Sequence, residues 1–327
     1  MNSTCLVLGS TGQDGSYLVD LLLARGFRVY AMVRKSATTN MGNLQHLMQG
    51  DVPKSDRLTL VRGDLLDHAR IASIVNDIRP DLIFNEADQD HVAWSVDIPS
   101  YSLMVTTQAV VNLLECIKTY SPDSILFQPV SSNMFGKVDT ESQDETAALR
   151  PVSPYGIAKG ATFNFCNYYR DAFSLRICTG ILYNHESPRR TAAYLSRKVT
   201  SAVAEINKGI RSELKLGAID GFVDWGYAPE FMEFATDLLL SGESDNFIIA
   251  SGVLTQVSSF VQKSFQVLEL NWEDYVKYDP GLERPLKTGN LKGDTKKLNT
   301  VLGRVPKTTI DELIEIMVRH DMDRIRK

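Results

Sequence analysis

Tyr155 and Lys159 stand four residues apart in the segment SPYGIAK (153–159). On a helix that spacing places both side chains on one face, a turn apart. A free tyrosine, with a pKa of about 10, is a poor base at neutral pH. A nearby ammonium favours the phenolate and lowers that value. Tyr155 can then take a proton from a hydroxyl while the same carbon gives a hydride to a nicotinamide. Ser131, in PVSSNMFGKV (129–138), follows an apolar run and can hydrogen-bond the same oxygen.

The elements around these residues decide whether they can meet. TCLVLG (4–9), FRVYAMVR (27–34), RLTLVRGDL (57–65), DLIFNEA (81–87), SILFQPVSS (124–132) and LRICTGILY (175–183) read as six strands. Helical patterns lie between them, notably over 67–78, 102–120 and 155–173, and the first helix stops at Gly26. Strands alternating with helices predict an α/β fold, a doubly wound parallel (Rossmann) sheet. After about residue 183 the pattern loosens into short strands (SELKLG, DNFIIAS), several prolines and a terminal amphipathic helix. The chain therefore divides into a dinucleotide-binding part, 1–183 with a returning segment near 224–250, and a smaller α+β substrate-binding lobe, mostly 184–327. On this layout Ser131 ends the fifth strand and Tyr155 and Lys159 open the next helix.

LGSTGQDG places Gly9, Gly12 and Gly15 between the first strand and the first helix. Glycines there let the backbone approach a pyrophosphate over the helix N-terminus. At the end of the second strand an NAD enzyme usually offers an acid for the ribose 2′-hydroxyl. This chain offers Arg34, Lys35 and Ser36 instead, which suit a 2′-phosphate. NADP is thus the expected cofactor, with NAD the alternative, and Asp64 after the third strand is placed for the adenine edge.

The 327 residues are 43% hydrophobic and 23% charged with a net charge of −5, and no long basic run occurs. That balance argues against nucleic acid or an anionic membrane as the main partner. Cys5, Cys116, Cys166 and Cys178 form no CxxC pair, so buried free thiols in a reducing compartment are expected, and no metal. The N-terminal segment has no signal-like pattern and no segment has a spanning length of apolar residues, so the expected location is cytoplasmic.

TGQDGSYL, VRKS, GDL, SPYGIAK, ILYNHESPRR with SRKV, DWGYA, and RP followed by KGD together resemble the extended short-chain dehydrogenases/reductases. Within that group they resemble the GDP-mannose 4,6-dehydratases, over nearly the whole chain. The resemblance implies an NADP enzyme acting on a nucleotide-diphosphate sugar, a GDP-sugar first among them. It assigns catalysis to Ser131, Tyr155 and Lys159. It adds Thr11, Gln13, Asp14 and Leu65 to the cofactor site and Asn184, Glu186, Arg189, Arg190, Lys198 and Arg284 to the sugar-nucleotide site. It also implies a homodimer through helices 102–120 and 155–173, with a homotetramer as the alternative. Asn43 replaces a basic residue linked to that tetramer.

Where the family carries the glutamate that is the acid/base of water elimination, this chain has Asn133. An amide cannot accept that proton, whereas reversible oxidation at C4 needs only Ser131, Tyr155, Lys159 and the cofactor. The expected activity is therefore C4 hydride chemistry: a 4-dehydrogenase, 4-keto reductase or epimerase. One alternative is a true 4,6-dehydratase with a displaced base. Glu86, Asp88 and Asp90 replace mostly small neutral residues, and Asp90 is the candidate base, while Asp88 is expected near the cofactor phosphates. The other alternative is a non-catalytic NADP-binding regulatory subunit. Lys287 in place of a ribose-binding glutamate, and Phe222-Val223 in place of two cations before Asp224, weaken the case for guanine.

Overall fold

The computed structural model describes residues 3–34, 41–50, 52–282 and 288–325. From the N-terminus come β1 (Thr4–Leu8), α1 (Gln13–Ala24), β2 (Arg28–Val33) and a small ribbon of β3 (Met48–Gln49) and β4 (Val52–Pro53). β5 (Leu58–Arg62), α2 (His68–Ile78) and β6 (Leu82–Asn85) follow. Then α3 (Trp94–Asp97), α4 (Pro99–Leu103) and α5 (Ala109–Tyr120) lead to β7 (Ile125–Ser131), and α6 (Pro154–Phe173) leads to β8 (Arg176–Leu182). The remainder holds β9 (Asn184–Glu186), α7 (Leu195–Asn207), β10 (Leu214–Leu216), β11 (Phe222–Tyr227), α8 (Ala228–Leu240) and β12 (Asn246–Ile249). It ends with β13 (Leu254–Gln256), α9 (Val257–Gln266), β14 (Val276–Tyr278), α10 (Lys296–Leu302) and α11 (Ile310–Ile325).

Seven strands form one sheet in the order β12-β8-β7-β6-β1-β2-β5, and each adjacent pair is parallel. Every residue of β6 and β7 is buried, as expected of parallel strands covered on both faces. One face packs under Leu18 and Leu22 of α1 and Phe231, Phe234 and Leu238 of α8. The other packs under Ile71 and Ile74 of α2, Leu113 of α5 and Tyr169 of α6. Strand order reverses between β1 and β6, so the loops after these two strands open a crevice at the sheet's carboxyl edge. β12 is the seventh strand, joining the edge beside β8 although the apolar run that forms it follows the loosened pattern.

The predicted helix over 102–120 is interrupted. A π turn at Met104–Gln108 separates α4 from α5. It turns Thr106 toward the loop after β6 and lets Thr107 Oγ1 donate to the Ala158 carbonyl at 2.9 Å. Such turns widen a helix locally to aim side chains. The four cysteines are buried and free. Among the described residues no helix is long and apolar enough to cross a membrane.

Beyond the main sheet, α7, α9 and α11 enclose a separate core with Trp225, Phe260 and Met317. Its polar fastening is Asp321, fully buried, which pairs with Arg197 and accepts from Thr200 Oγ1 at 2.8 Å and Ser201 Oγ at 3.3 Å. Removing one partner of such a pair strands a buried charge. Asp321→Ala is expected to lower unfolding free energy by about 3–5 kcal/mol in urea titration, and a loss under about 1 kcal/mol would contradict this role.

Candidate active site

α6 starts where Ser153 accepts from Gly156 N at 3.0 Å and Pro154 occupies the first turn. Asn133, in the 3₁₀ turn Ser132–Met134 after β7, approaches so closely that a Cβ on Gly156 would lie 2.6 Å from its carbonyl oxygen. This contact brings the end of β7 against the first turn of α6. Ser131 Oγ accepts from Asn133 N at 3.2 Å and from Asn133 Nδ2 at 3.1 Å. With both lone pairs engaged, its proton is directed outward, and it hydrogen-bonds toward Tyr155. Lys159 Nζ lies 5.7 Å from the Tyr155 ring centre and donates to the Pro129 carbonyl at 3.0 Å. Ser131, Asn133, Tyr155 and Lys159 thus converge as the spacing predicts.

The loop after β6 changes the electrostatics of that cluster. Asp88 Oδ2 lies 2.6 Å from Lys159 Nζ, and Thr106 Oγ1 donates to Asp88 Oδ1. Sequence reasoning placed Asp88 by the cofactor phosphates. The structure gives it the lysine as partner, because the π turn and α6 close over the loop from one side. Burial first, with Asp88 and Asp90 adding to it, pushes the Tyr155 hydroxyl up to about 12, against the opposing pull of Lys159 and Ser131. Burial disfavours the Lys159 cation, but Asp88 more than offsets this and raises its pKa. Asp90 Oδ2 lies 3.3 Å from Arg190 Nη1, and its carboxylate also faces Tyr194 and Tyr155. The third acid, Glu86, has its pKa pushed well upward by burial, then by Asp14.

The glycine loop is fixed by its own backbone. Gly9 has φ +72°, and a Cβ there would lie 2.4 Å from the Glu86 carbonyl oxygen. A Cβ on Gly15 would lie 2.4 Å from the Gly9 carbonyl oxygen. Gly12 then opens α1 with no side-chain cap, so the first amides of a 12-residue helix face the crevice. That arrangement fits a pyrophosphate. Thr11 O accepts from Asn43 N at 3.4 Å. Gln13 accepts from Ser187 Oγ at 2.8 Å, and Asp14 pairs with His185 Nε2 at 2.9 Å. Burial opposes the charged forms of Asp14 and His185, but their pairing wins, lowering the acid and raising the imidazole. Arg34 is exposed just after β2, Leu65 is buried, and Asp64 Oδ1 accepts from Leu66 N at 3.0 Å. Lys35 and Ser36 lie outside the described residues.

The sugar-nucleotide candidates do not all converge. Arg190 faces the cluster, stacked 3.5 Å over Tyr194 and 3.5 Å from the buried Glu186. Arg189, one residue earlier, turns the other way to Asp20 at 2.6 Å and Ser16 Oγ at 3.1 Å on α1. Of the two arginines expected near the phosphates, Arg190 faces the crevice and Arg189 faces α1, because the chain bends after β9 and splits neighbouring side chains. Asn184 is exposed on β9, and Lys198 is half-buried on α7. Asp224 is closed off by Ser251 and the amides of Gly252 and Gly293. Arg284 and Lys287 lie outside the described residues. Sequence reasoning missed Tyr194, legible only as an aromatic four residues after Arg190. It also missed Thr106, which no local signal marks.

The sequence matches the family described as GDP-mannose 4,6 dehydratase over residues 6–317. It is 36% identical over 325 residues to GDP-mannose 4,6 dehydratase 1 of Arabidopsis thaliana, covering 97% of this chain and 89% of that protein. The human GDP-mannose 4,6 dehydratase is 34% identical, with 99% of this chain and 92% of that protein covered. In fold, the chain resembles UDP-glucose 4-epimerase of Thermotoga maritima, solved with UDP-glucose, at a TM-score of 0.86 and 21% identity over 98% and 99% of the two chains. With the glycine loop, the Ser131–Tyr155–Lys159 cluster and a whole-length match in agreement, this chain belongs to the GDP-mannose 4,6-dehydratase family.

Proposed function

We propose that this protein performs NADP-dependent hydride chemistry at C4 of a nucleotide-diphosphate sugar without removing water. The supporting observation is Asn133: its amide stands on Ser131, beside Tyr155, where the family's pattern carries the eliminating glutamate. The amide donates to the serine and has no ionisable oxygen to take the C5 proton.

The loop from Gly9 to Gly15 and Arg34 are the residues that would hold the cofactor, which when bound accepts or supplies the hydride. Tyr155 Oη holds or releases the proton of the sugar's C4 oxygen, and Ser131 hydrogen-bonds that oxygen. Lys159 sits one turn on, anchored to the Pro129 carbonyl. Arg190 is the nearest cation for a sugar diphosphate, with Lys198 and Arg284 as further candidates. A GDP-sugar is the first substrate to try, because the relatives that match along the whole length are named for GDP-mannose.

One observation favours a second reading. The Asp90 carboxylate is about half exposed and faces both Tyr155 and Tyr194, so it could serve as the displaced base of a dehydratase. Its ion pair with Arg190 opposes that use. An Asp90→Asn variant separates the two readings: water loss that vanishes while C4 oxidation persists would select the dehydratase.

For assembly we propose a homodimer through α5 and α6. Ile157, Phe165 and Tyr168 of α6 leave an exposed apolar face that such pairing would cover. Asn43 turns inward to the Thr11 and Arg189 carbonyls, which supports the dimer over the tetramer. The functional test is hydride exchange followed at the nicotinamide absorbance in both directions, reduction of NADP by a panel of nucleotide sugars beginning with GDP-mannose and oxidation of NADPH by their 4-keto forms. Sugar-dependent exchange in either direction supports the proposal, and tight NADP binding with no hydride exchange on any sugar would overturn it.

A further inference from the structure

Lys159 and Tyr155 alone would make a phenolate easy to form, but this chain adds a second charge to the pair. Asp88 Oδ2 sits 2.6 Å from Lys159 Nζ, and both side chains are largely buried. The carboxylate is held on its other oxygen by Thr106, which the π turn aims at it. The ammonium is held on its far side by the Pro129 carbonyl at 3.0 Å. This is a built contact with partners from β7, α6, the loop after β6 and the π turn.

The charges facing Tyr155 come from every element around it. Lys159 lies on its own helix, Asp88 and Asp90 on the loop after β6, Ser131 at the end of β7 and Tyr194 ahead of α7. Glu86 faces Lys159 from the same loop with its pKa pushed well up by burial, while Arg190 faces Tyr194 and Asp90. The one cation adjoining the phenol is matched by Asp88, and the next, Arg190, is matched by Asp90. Among the described residues each cation near the phenol is thus paired with an acid, which weakens the pull of Lys159 toward a phenolate while burial opposes it.

We propose that Asp88 is a positioning residue that cancels the Lys159 charge, keeps Tyr155 a phenol at neutral pH and so fits the site to reduce a 4-keto sugar. The choice of reduction rests on the C4 hydride chemistry proposed above. In that direction the Tyr155 O–H bond breaks and its proton goes to the C4 carbonyl oxygen, while C4 takes a hydride from a reduced nicotinamide dinucleotide. The ketone becomes a secondary alcohol, the nicotinamide is oxidised, and water returns a proton to Tyr155. Oxidation of an alcohol needs the phenolate first, and Asp88 makes that form scarce. The buried, neutralised pair agrees with the hydroxyl being pushed up to about 12.

The test reads the phenol without any sugar. The ultraviolet phenolate band is titrated in wild-type protein and in Tyr155→Phe, and the difference isolates Tyr155. The wild-type midpoint is expected above the ordinary tyrosine value of about 10. In Asp88→Asn and Asp88→Ala it is expected to fall by about one pH unit or more, since a like charge has been removed. Sugar oxidation at neutral pH should rise in step, by about tenfold per unit of that fall. A wild-type midpoint below about 10, or folded Asp88 variants with an unmoved midpoint, would overturn the proposal. Should both variants fail to fold, the wild-type difference titration decides alone. A midpoint that behaves as expected in a protein that turns over no sugar would sink the proposed function and leave the role of Asp88 standing.

Discussion

Asn133→Glu is expected to turn this protein into a dehydratase. The substitution puts a carboxylate on the turn that already touches Ser131 and the first turn of α6. The side chain is one methylene longer than the amide it replaces, and Asn133 is only half-buried, so the crevice has room to receive it. Positioned acid/base help is worth about 10²–10⁴-fold, and water loss from the 4-keto intermediate should rise by that much. The readout is loss of one water from a nucleotide sugar, or its 4-keto form, on which the wild-type protein exchanges hydride at C4. An Asn133→Glu protein that still oxidises C4 but releases no water would show that more than this carboxylate separates the chain from its dehydrating relatives. Asn133→Gln, the neutral control of the same length, should leave water loss at the wild-type level.

The second large effect is loss of hydride transfer in Tyr155→Phe. The ring stays in its buried place, but the proton it exchanges with the C4 oxygen is gone. Turnover should drop by about 10²–10⁴-fold while the dissociation constant for NADP changes little. Loss of binding along with turnover would mean that Tyr155 holds the cofactor instead of moving a proton. The Asp321→Ala loss of stability and the Asp88 titration complete the set, and each touches a separate part of the molecule.

Much of the site was legible because its residues act through local geometry. Tyr155 and Lys159 share a helix, so a spacing of four fixes their relation. Gly9 and Gly15 sit where the backbone just after β6 and that of the glycine loop itself leave no space for a Cβ, so their spacing carries structure directly. Ser131 follows an apolar run that becomes a fully buried strand. The pairing of Asp88 with Lys159 was not legible. It joins a loop and a helix that meet only once the sheet is wound, and the π turn that supplies Thr106 interrupts a pattern that reads as continuous helix. The different directions of Arg189 and Arg190 were hidden for a related reason. Outside regular elements no period tells which neighbour faces the crevice, and here they split.

In this chain the hydride step is expected to survive while elimination does not. Mass spectrometry of the sugar product tests it most directly, using the purified protein with NADP and a panel of nucleotide sugars that starts with GDP-mannose and includes 4-keto sugars with NADPH. The expected product has gained or lost two hydrogens, or is an isomer of unchanged mass and altered C4 configuration. A product lighter by one water from the unmodified protein would contradict it, and would send the search for the base to Asp90.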